Sequence, residues 1–180
     1  MKVIFLDIDG VLNSEHWYVK NHKKHPERCR SGQAIDPRFV RNLRRIVKKT
    51  DAKIVITSTM RGTLKHQSDH RIHEIFKQYG LVIYDYTFRV NSSIRGYEIQ
   101  EWLDRHKEVT NIVIIDDNND MVHLSKYLVQ TINIPCDKMR GLPFAWLSEG
   151  LNSRVVKEAI EMLNKPYVNI YSTKVSRKVF

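Results

Sequence analysis

Apolar residues recur along this chain in two rhythms. Short unbroken runs rich in β-branched residues, within Val3–Leu6, Lys53–Ile56, Leu81–Tyr84 and Asn111–Ile115, predict buried strands. Between them, apolar residues fall three and four apart: Phe39, Val40, Leu43, Ile46 and Val47; Ile72, Ile75, Phe76 and Tyr79; Ile99, Trp102, Leu103 and His106; Val155, Val156, Ile160 and Leu163. That spacing predicts helices with one apolar stripe each. Asp36 before Pro37 is an N-cap with proline at the first helical position, and Gly80 closes the second helix. A short helix with Leu124 and Leu128 and a brief strand near Val129–Ile132 complete the body. Strands alternating with helices predict an α/β fold, a parallel sheet covered on both faces. Such sheets bind ligands beyond the carboxyl ends of their strands.

Size and composition narrow the picture. A chain of 180 residues holds one well-buried core, so residues 1–180 are expected to form a single domain. No apolar run approaches a membrane span, and the Met1–Leu12 stretch is too short and too acidic for a signal peptide, so a cytoplasmic protein without membrane association is expected. Cys29 and Cys136 lack the spacing of a zinc knuckle or a disulfide framework and read as free thiols. The histidines, His16, His22, His25, His66, His70 and His73 among them, show no zinc motif.

Charge changes the picture more. Lys and Arg number 30 against 20 Asp and Glu, a formal +10. Such a balance suits either a polyanionic partner such as nucleic acid or a generally basic, solvated surface. Residues 14–35 interleave His, Lys and Arg with Trp17 and Tyr18 and read as a basic flap, suited to phosphate contacts and base stacking or simply to solvation. Residues 167–180, with Lys174, Arg177 and Lys178, form a basic tail, either an edge strand or a loose arm.

The candidate chemistry lies at strand ends. The first strand delivers Asp7 and Asp9 before Gly10, the second ends in Thr57 and Ser58, and the fourth delivers Asp116 and Asp117, with Asp120 beyond. Taken singly, these have plain readings as capped turns or satisfied strand ends. Together they place several carboxylates on one sheet edge, where a hard divalent cation, Mg²⁺ above all, relieves their repulsion. A metal and a cation such as Arg95 also attract phosphate. One carboxylate then has the means to attack phosphorus and a second, two residues on, to shuttle the proton, while strand-end hydroxyls hold the phosphoryl oxygens.

Asp7-Ile8-Asp9-Gly10-Val11-Leu12-Asn13, Ile56-Thr57-Ser58 and Ile114-Ile115-Asp116-Asp117 resemble the motifs of the haloacid dehalogenase (HAD) superfamily of phosphohydrolases, over nearly the whole chain. Arg95-Gly96-Tyr97-Glu98-Ile99 before Trp102-Leu103, and the helix after Gly150-Leu151, further resemble the small HAD domain of Swiss Army knife RNA-repair proteins. Those domains usually carry Ser-Ser-Trp-Arg where this chain has Ser58-Thr59-Met60-Arg61, so no role tied to that tryptophan carries over.

The resemblance implies a doubly wound, Rossmann-like HAD fold and an aspartyl-phosphate mechanism. Asp7 would be the nucleophile and Asp9 the general acid/base. Thr57, Ser58 and Arg95 would bind the phosphoryl group, with Lys65 or Arg89 as alternatives to Arg95. Mg²⁺ would be held by Asp7, the backbone carbonyl of Asp9, Asp116 and Asp117, with Asp120 steadying that shell from outside.

The segments between Asp9 and Lys53 and between Met60 and Ile112 leave no room for a large cap domain, so the site is expected to be open to large substrates. With the charge, this favours a terminal phosphate on an RNA or DNA end, as in the phosphatase domain of polynucleotide kinases. Mononucleotides, other small phosphoesters and phosphoproteins remain open as substrates. So does a non-catalytic nucleic-acid-binding module with a vestigial acid cluster.

Overall fold

The computed structural model describes residues 1–13, 17, 35–59, 70–88, 94–135 and 146–168. Cys29, Cys136, Lys65, Arg89, nearly all of the basic flap and all but the first two residues of the basic tail lie outside them.

The predicted alternation of strands and helices is realised. In chain order the elements are β1 (Lys2–Leu6), α1 (Pro37–Thr50), β2 (Lys53–Ile56), α2 (His70–Gln78), β3 (Ile83–Tyr86), α3 (Arg95–Arg105) and β4 (Asn111–Asp116). A 3₁₀ helix (Val122–Tyr127), β5 (Leu128–Gln130), β6 (Asn133–Pro135), β7 (Trp146–Ser148) and α4 (Ser153–Leu163) follow. Strands β1 to β5 form one sheet in the order β3-β2-β1-β4-β5, every neighbouring pair parallel. This is a Rossmann-like α/β sheet, the fold that the resemblance implies, and among the described residues there is no cap domain over its edge.

β1 lies at the centre because it is apolar on both sides. Ile4 and Leu6 point into one core with Val40, Leu43, Ile72, Phe76 and Val155, from α1, α2 and α4. Val3 and Phe5 point into another with Ile99, Trp102 and Leu124, from α3 and the 3₁₀ helix. Phe5 meets Trp102 edge-on, ring centroids 5.3 Å apart, a contact worth about 0.5–1.5 kcal/mol beyond area burial.

Several local signals in the sequence act as expected. The Asp36 side chain accepts from the backbone N–H of Arg38, with Pro37 at the helix start, and Asn152 accepts from that of Val155 to cap α4.

Three expectations are corrected. The third strand lies two residues later than Leu81–Tyr84, because Gly80 and Leu81 close α2: Gly80 has φ +65° and the Leu81 N–H bonds back to Phe76 O. Leu128 belongs to β5 and not to the preceding helix, which is 3₁₀. The antiparallel pair β6–β7 was not anticipated, since neither three-residue segment carries a usable hydrophobic period. The tail begins docked on the body, the Tyr167 N–H donating to Thr110 O at 2.7 Å.

Candidate active site

The strand register builds one edge of the sheet. Leu6 pairs with Ile56 of β2 and with Ile115 of β4, so the next residues, Asp7, Thr57 and Asp116, stand at one level. The ladder continues through them: Asp7 N–H donates to Ile115 O at 3.0 Å and Thr57 N–H to Leu6 O at 2.9 Å. Side chains alternate across a strand. Leu6, Ile56 and Ile115 face the core of α1, α2 and α4, so Asp7, Thr57 and Asp116 emerge on the side of α3.

From that side comes Arg95, the first residue of α3. Its Nη1 donates to Asp7 Oδ1 at 3.2 Å and to the carbonyl of Thr57, and its Nε stands 3.5 Å from Asp116 Oδ2. The α3 start has no side-chain cap of its own. Asp120 supplies one from the β4 loop, its Oδ2 accepting from Arg95 N–H and its carbonyl from Gly96 N–H, both at 3.1 Å. A Cβ on Gly96 would stand 2.3 Å from Met121 O, so only glycine allows the close approach. Asp120 therefore seats Arg95, which in turn touches Asp7 and Asp116.

Ligand oxygens of Asp7, Asp116 and Asp117 lie within 4.8 Å of one another, the first two residues buried and the third half-buried. Gly10, at φ +72°, packs so close to Asp117 that a Cβ would fall 2.7 Å from its Oδ2. Ser58 is fully buried beside Thr57. Asp9 is exposed at the rim and its carboxylate stands outside the cluster of three. Asn13 holds it, Nδ2 donating to Asp9 Oδ1 at 2.7 Å while Oδ1 accepts from Gly10 N–H at 2.7 Å.

The electrostatics follow from burial. Desolvation raises Asp7, Arg95 opposes it, and Asp9 and Asp117 add to it. Asp116 is raised by desolvation and then by Asp7, against Arg95. Asp9 is raised by desolvation, with the Asn13 hydrogen bond opposing and Asp117 adding to the rise. Burial works against the charge of Arg95, yet Asp116, Asp7, Glu98 and Asp120 outweigh it and its pKa rises. One guanidinium against three carboxylates leaves negative charge uncompensated when all are ionised. Asp116 Oδ2 is buried and accepts no hydrogen bond from the described residues. An all-oxygen, anionic donor set of this kind fits a hard dication such as Mg²⁺.

Some residues of this edge went unnoticed in the sequence. Thr131 follows β5 as Thr57 follows β2, and its hydroxyl donates to Gly10 O at 3.0 Å, joined there by the Ser148 hydroxyl. Thr87 follows β3 in the same way, its N–H on Ile56 O at 3.0 Å. The shared offset, a hydroxyl directly after a strand, was hidden because the strand bounds read from the sequence left Thr87 beyond the end of Leu81–Tyr84 and put Thr131 inside Val129–Ile132. Ser148 gave no signal, because β7 reaches Gly10 only through the fold.

Among the described residues, no helix is long and apolar enough to cross a membrane. Comparison with curated proteins and with solved structures finds no match. A model of the HAD domain in Swiss Army Knife RNA repair proteins matches residues 3–143, which span β1 to β6 and every acid of the edge just described; the chain belongs to that family, within the HAD phosphohydrolases.

Proposed function

We propose that this chain is a Mg²⁺-dependent phosphatase that removes a terminal phosphate, a 3′-phosphate foremost, from RNA or DNA ends. The observation that carries it is the convergence of Asp7, Asp116 and Asp117 within 4.8 Å beside the buried Arg95.

Asp7 is the nucleophile. Its carboxylate oxygen attacks phosphorus, the ester P–O bond breaks, and Asp9 gives its proton to the departing hydroxyl oxygen. Asp9 is suited to carry that proton because desolvation and the nearby Asp117 raise its pKa, and its carboxylate stands apart from the cluster of three. Asp9 then takes a proton from water, whose oxygen attacks the phosphorus of the aspartyl-phosphate, and inorganic phosphate leaves with Asp7 restored. Arg95, Thr57 and Ser58 hold the phosphoryl oxygens. Asp7, Asp116, Asp117 and the backbone carbonyl of Asp9 would hold Mg²⁺. When bound, the ion neutralises the carboxylates and draws charge from the phosphoryl group.

The family's link to RNA repair and the formal +10 charge support a nucleic-acid end over a small metabolite. The whole chain acts as one catalytic domain in the cytoplasm. A panel of 3′- and 5′-phosphorylated RNA and DNA, assayed for phosphate release with and without Mg²⁺, tests this. Release from 3′-ends that vanishes in Asp7→Asn is expected; turnover confined to mononucleotides or phosphoproteins, or none at all, overturns it.

A further inference from the structure

Helix α1 carries all its charge on one side and of one sign. Arg38, Arg41, Arg44, Arg45, Lys48 and Lys49 are exposed, whereas Phe39, Val40, Leu43 and Ile46 are buried, and no acidic residue lies between Pro37 and Thr50. At about 100° per residue, Arg38, Arg45 and Lys49 fall in one row, with Arg41 and Lys48 alongside. Of these six, Arg38 alone is ion-paired among the described residues, to its own N-cap Asp36 at 2.6 Å. Arg41 with Arg45, Arg44 with Lys48 and Arg45 with Lys49 are like-charge neighbours four apart, a spacing that weakens a helix. A polyanion laid along the row relieves that repulsion.

The row starts beside the site. Asp36 N–H donates to Leu12 O at 2.9 Å, Asn13 bridges Ile35, and Asn13 in turn holds Asp9. Ser148, whose hydroxyl holds Gly10 O, lines a cleft of about 420 Å³ together with Arg38, Asn42 and Asn152. The one acid of that cleft, Glu149, is neutralised by Arg154. From this cleft the helix runs away from the strand ends, because it returns the chain between the parallel strands β1 and β2. Its 14 residues span about 21 Å, the axial length of about six stacked nucleotides at about 3.4 Å each.

We propose that the exposed face of α1 is the track for the phosphodiester backbone of the strand whose end enters the site, so that the preferred substrate is an oligonucleotide of about six residues or more and not a mononucleotide. This rests on the phosphatase reading for the strand's end, but not for the binding surface itself. A nucleic acid fits better than an anionic membrane, since the exposed face has no apolar residue to enter a bilayer.

The test uses the full chain with Arg41, Arg45 and Lys49 changed to Gln, which keeps helix propensity. Removing Arg105, Lys107 and Lys126 in the same way, from the α3 side of the sheet, is the charge-matched control. Anisotropy with a labelled single-stranded RNA 12-mer carrying 3′-hydroxyl ends reads binding without turnover. The α1 variant should bind about 10²-fold more weakly at low salt, and its log K against log salt slope should fall by about 2, whereas the control shifts affinity less than about twofold.

Equal losses in the two variants, or loss in neither, overturn the track. Binding to anionic vesicles but not to RNA overturns it in favour of a membrane. RNA binding lost in the α1 variant, with no phosphate release from any end by the unaltered chain, supports the track and overturns the phosphatase reading. Phosphate release from a 12-mer with unchanged KM in the α1 variant does the reverse.

Discussion

Arg95 lies against Asp7, its Nη1 donating to Asp7 Oδ1 at 3.2 Å with both side chains nearly buried. The same guanidinium stands over Asp116, so one cation is shared by two carboxylates from different strands. Removing one partner of such a buried set strands the others. Arg95→Ala should therefore lose about 10²–10³-fold in kcat/KM and about 3 kcal/mol of stability at pH 8. At pH 5, where the carboxylates take up protons, the stability loss should shrink. Urea melts at the two pH values and steady-state kinetics check both halves.

The two acids of the first loop should fail differently. Asp7→Asn removes the proposed nucleophile and should abolish turnover, whereas Asp9→Asn removes only proton transfer and should cost about 10²–10⁴-fold. The cost at Asp9 should be smaller for substrates with a good leaving group such as a nitrophenolate. Equal losses on both substrate types would contradict the assignment to Asp9.

Metal-free stability should fall as pH rises. Burial and neighbouring acids push Asp7 up to about 6 and Asp116 up to about 8 in the fold. A carboxyl whose folded pKa lies above its unfolded value of about 3.9 contributes its full stability below about pH 4. That contribution is lost as pH rises through the folded values. Asp116→Asn removes one such group, so it should gain on the unaltered chain by about 1–3 kcal/mol between pH 5.5 and 8.5, measured by urea melts in EDTA.

Mg²⁺ should reverse that trend. A ligand present at about 100 times its Kd stabilises the fold by about 2.7 kcal/mol, and binding to deprotonated carboxylates is stronger at pH 8 than at pH 5.5. Thermal melts should rise with Mg²⁺ at the higher pH and barely move at the lower. Asp116→Asn should lose most of the response.

The seat of Arg95 can be disturbed without touching the acids of the cluster. Gly96→Ala drives a Cβ into the Met121 carbonyl and should cost about 2–3 kcal/mol with a matching loss of activity. Asp120→Ala removes the carboxylate cap on Arg95 N–H and should cost about 1 kcal/mol. A fall in kcat larger than the fall in stability would mark both as positioning Arg95.

The alternation of apolar runs was enough to read the order of the main strands and helices, and Asp36-Pro37 marked a helix start to the residue. Where local rules compete, reading by period failed. Leu81 looks like a strand residue but serves the C-cap of α2, and β6 and β7 are too short to show any alternation. That Asp7, Thr57 and Asp116 come to one edge could be read from the sequence because each stands at the end of an apolar strand, and such strands end on one edge of a parallel sheet. Arg95 could not be told from Lys65 or Arg89 by the same means, since helix starts and loops have no period. The fold sets Arg95 between two of the acids.

By itself, then, the sequence determined which strands are buried on both faces, that their carboxyl ends carry acids and hydroxyls, and that the chain carries an excess of positive charge. Those properties are local: they depend on residue type and spacing over a few positions. Only the tertiary structure decided that Asp7, Thr57 and Asp116 share one level and one face, because that follows from the pairing of Leu6 with both Ile56 and Ile115. It also decided that Asp120 seats Arg95 and that Thr131 and Ser148 meet at Gly10, contacts between segments with no sequence rule to join them.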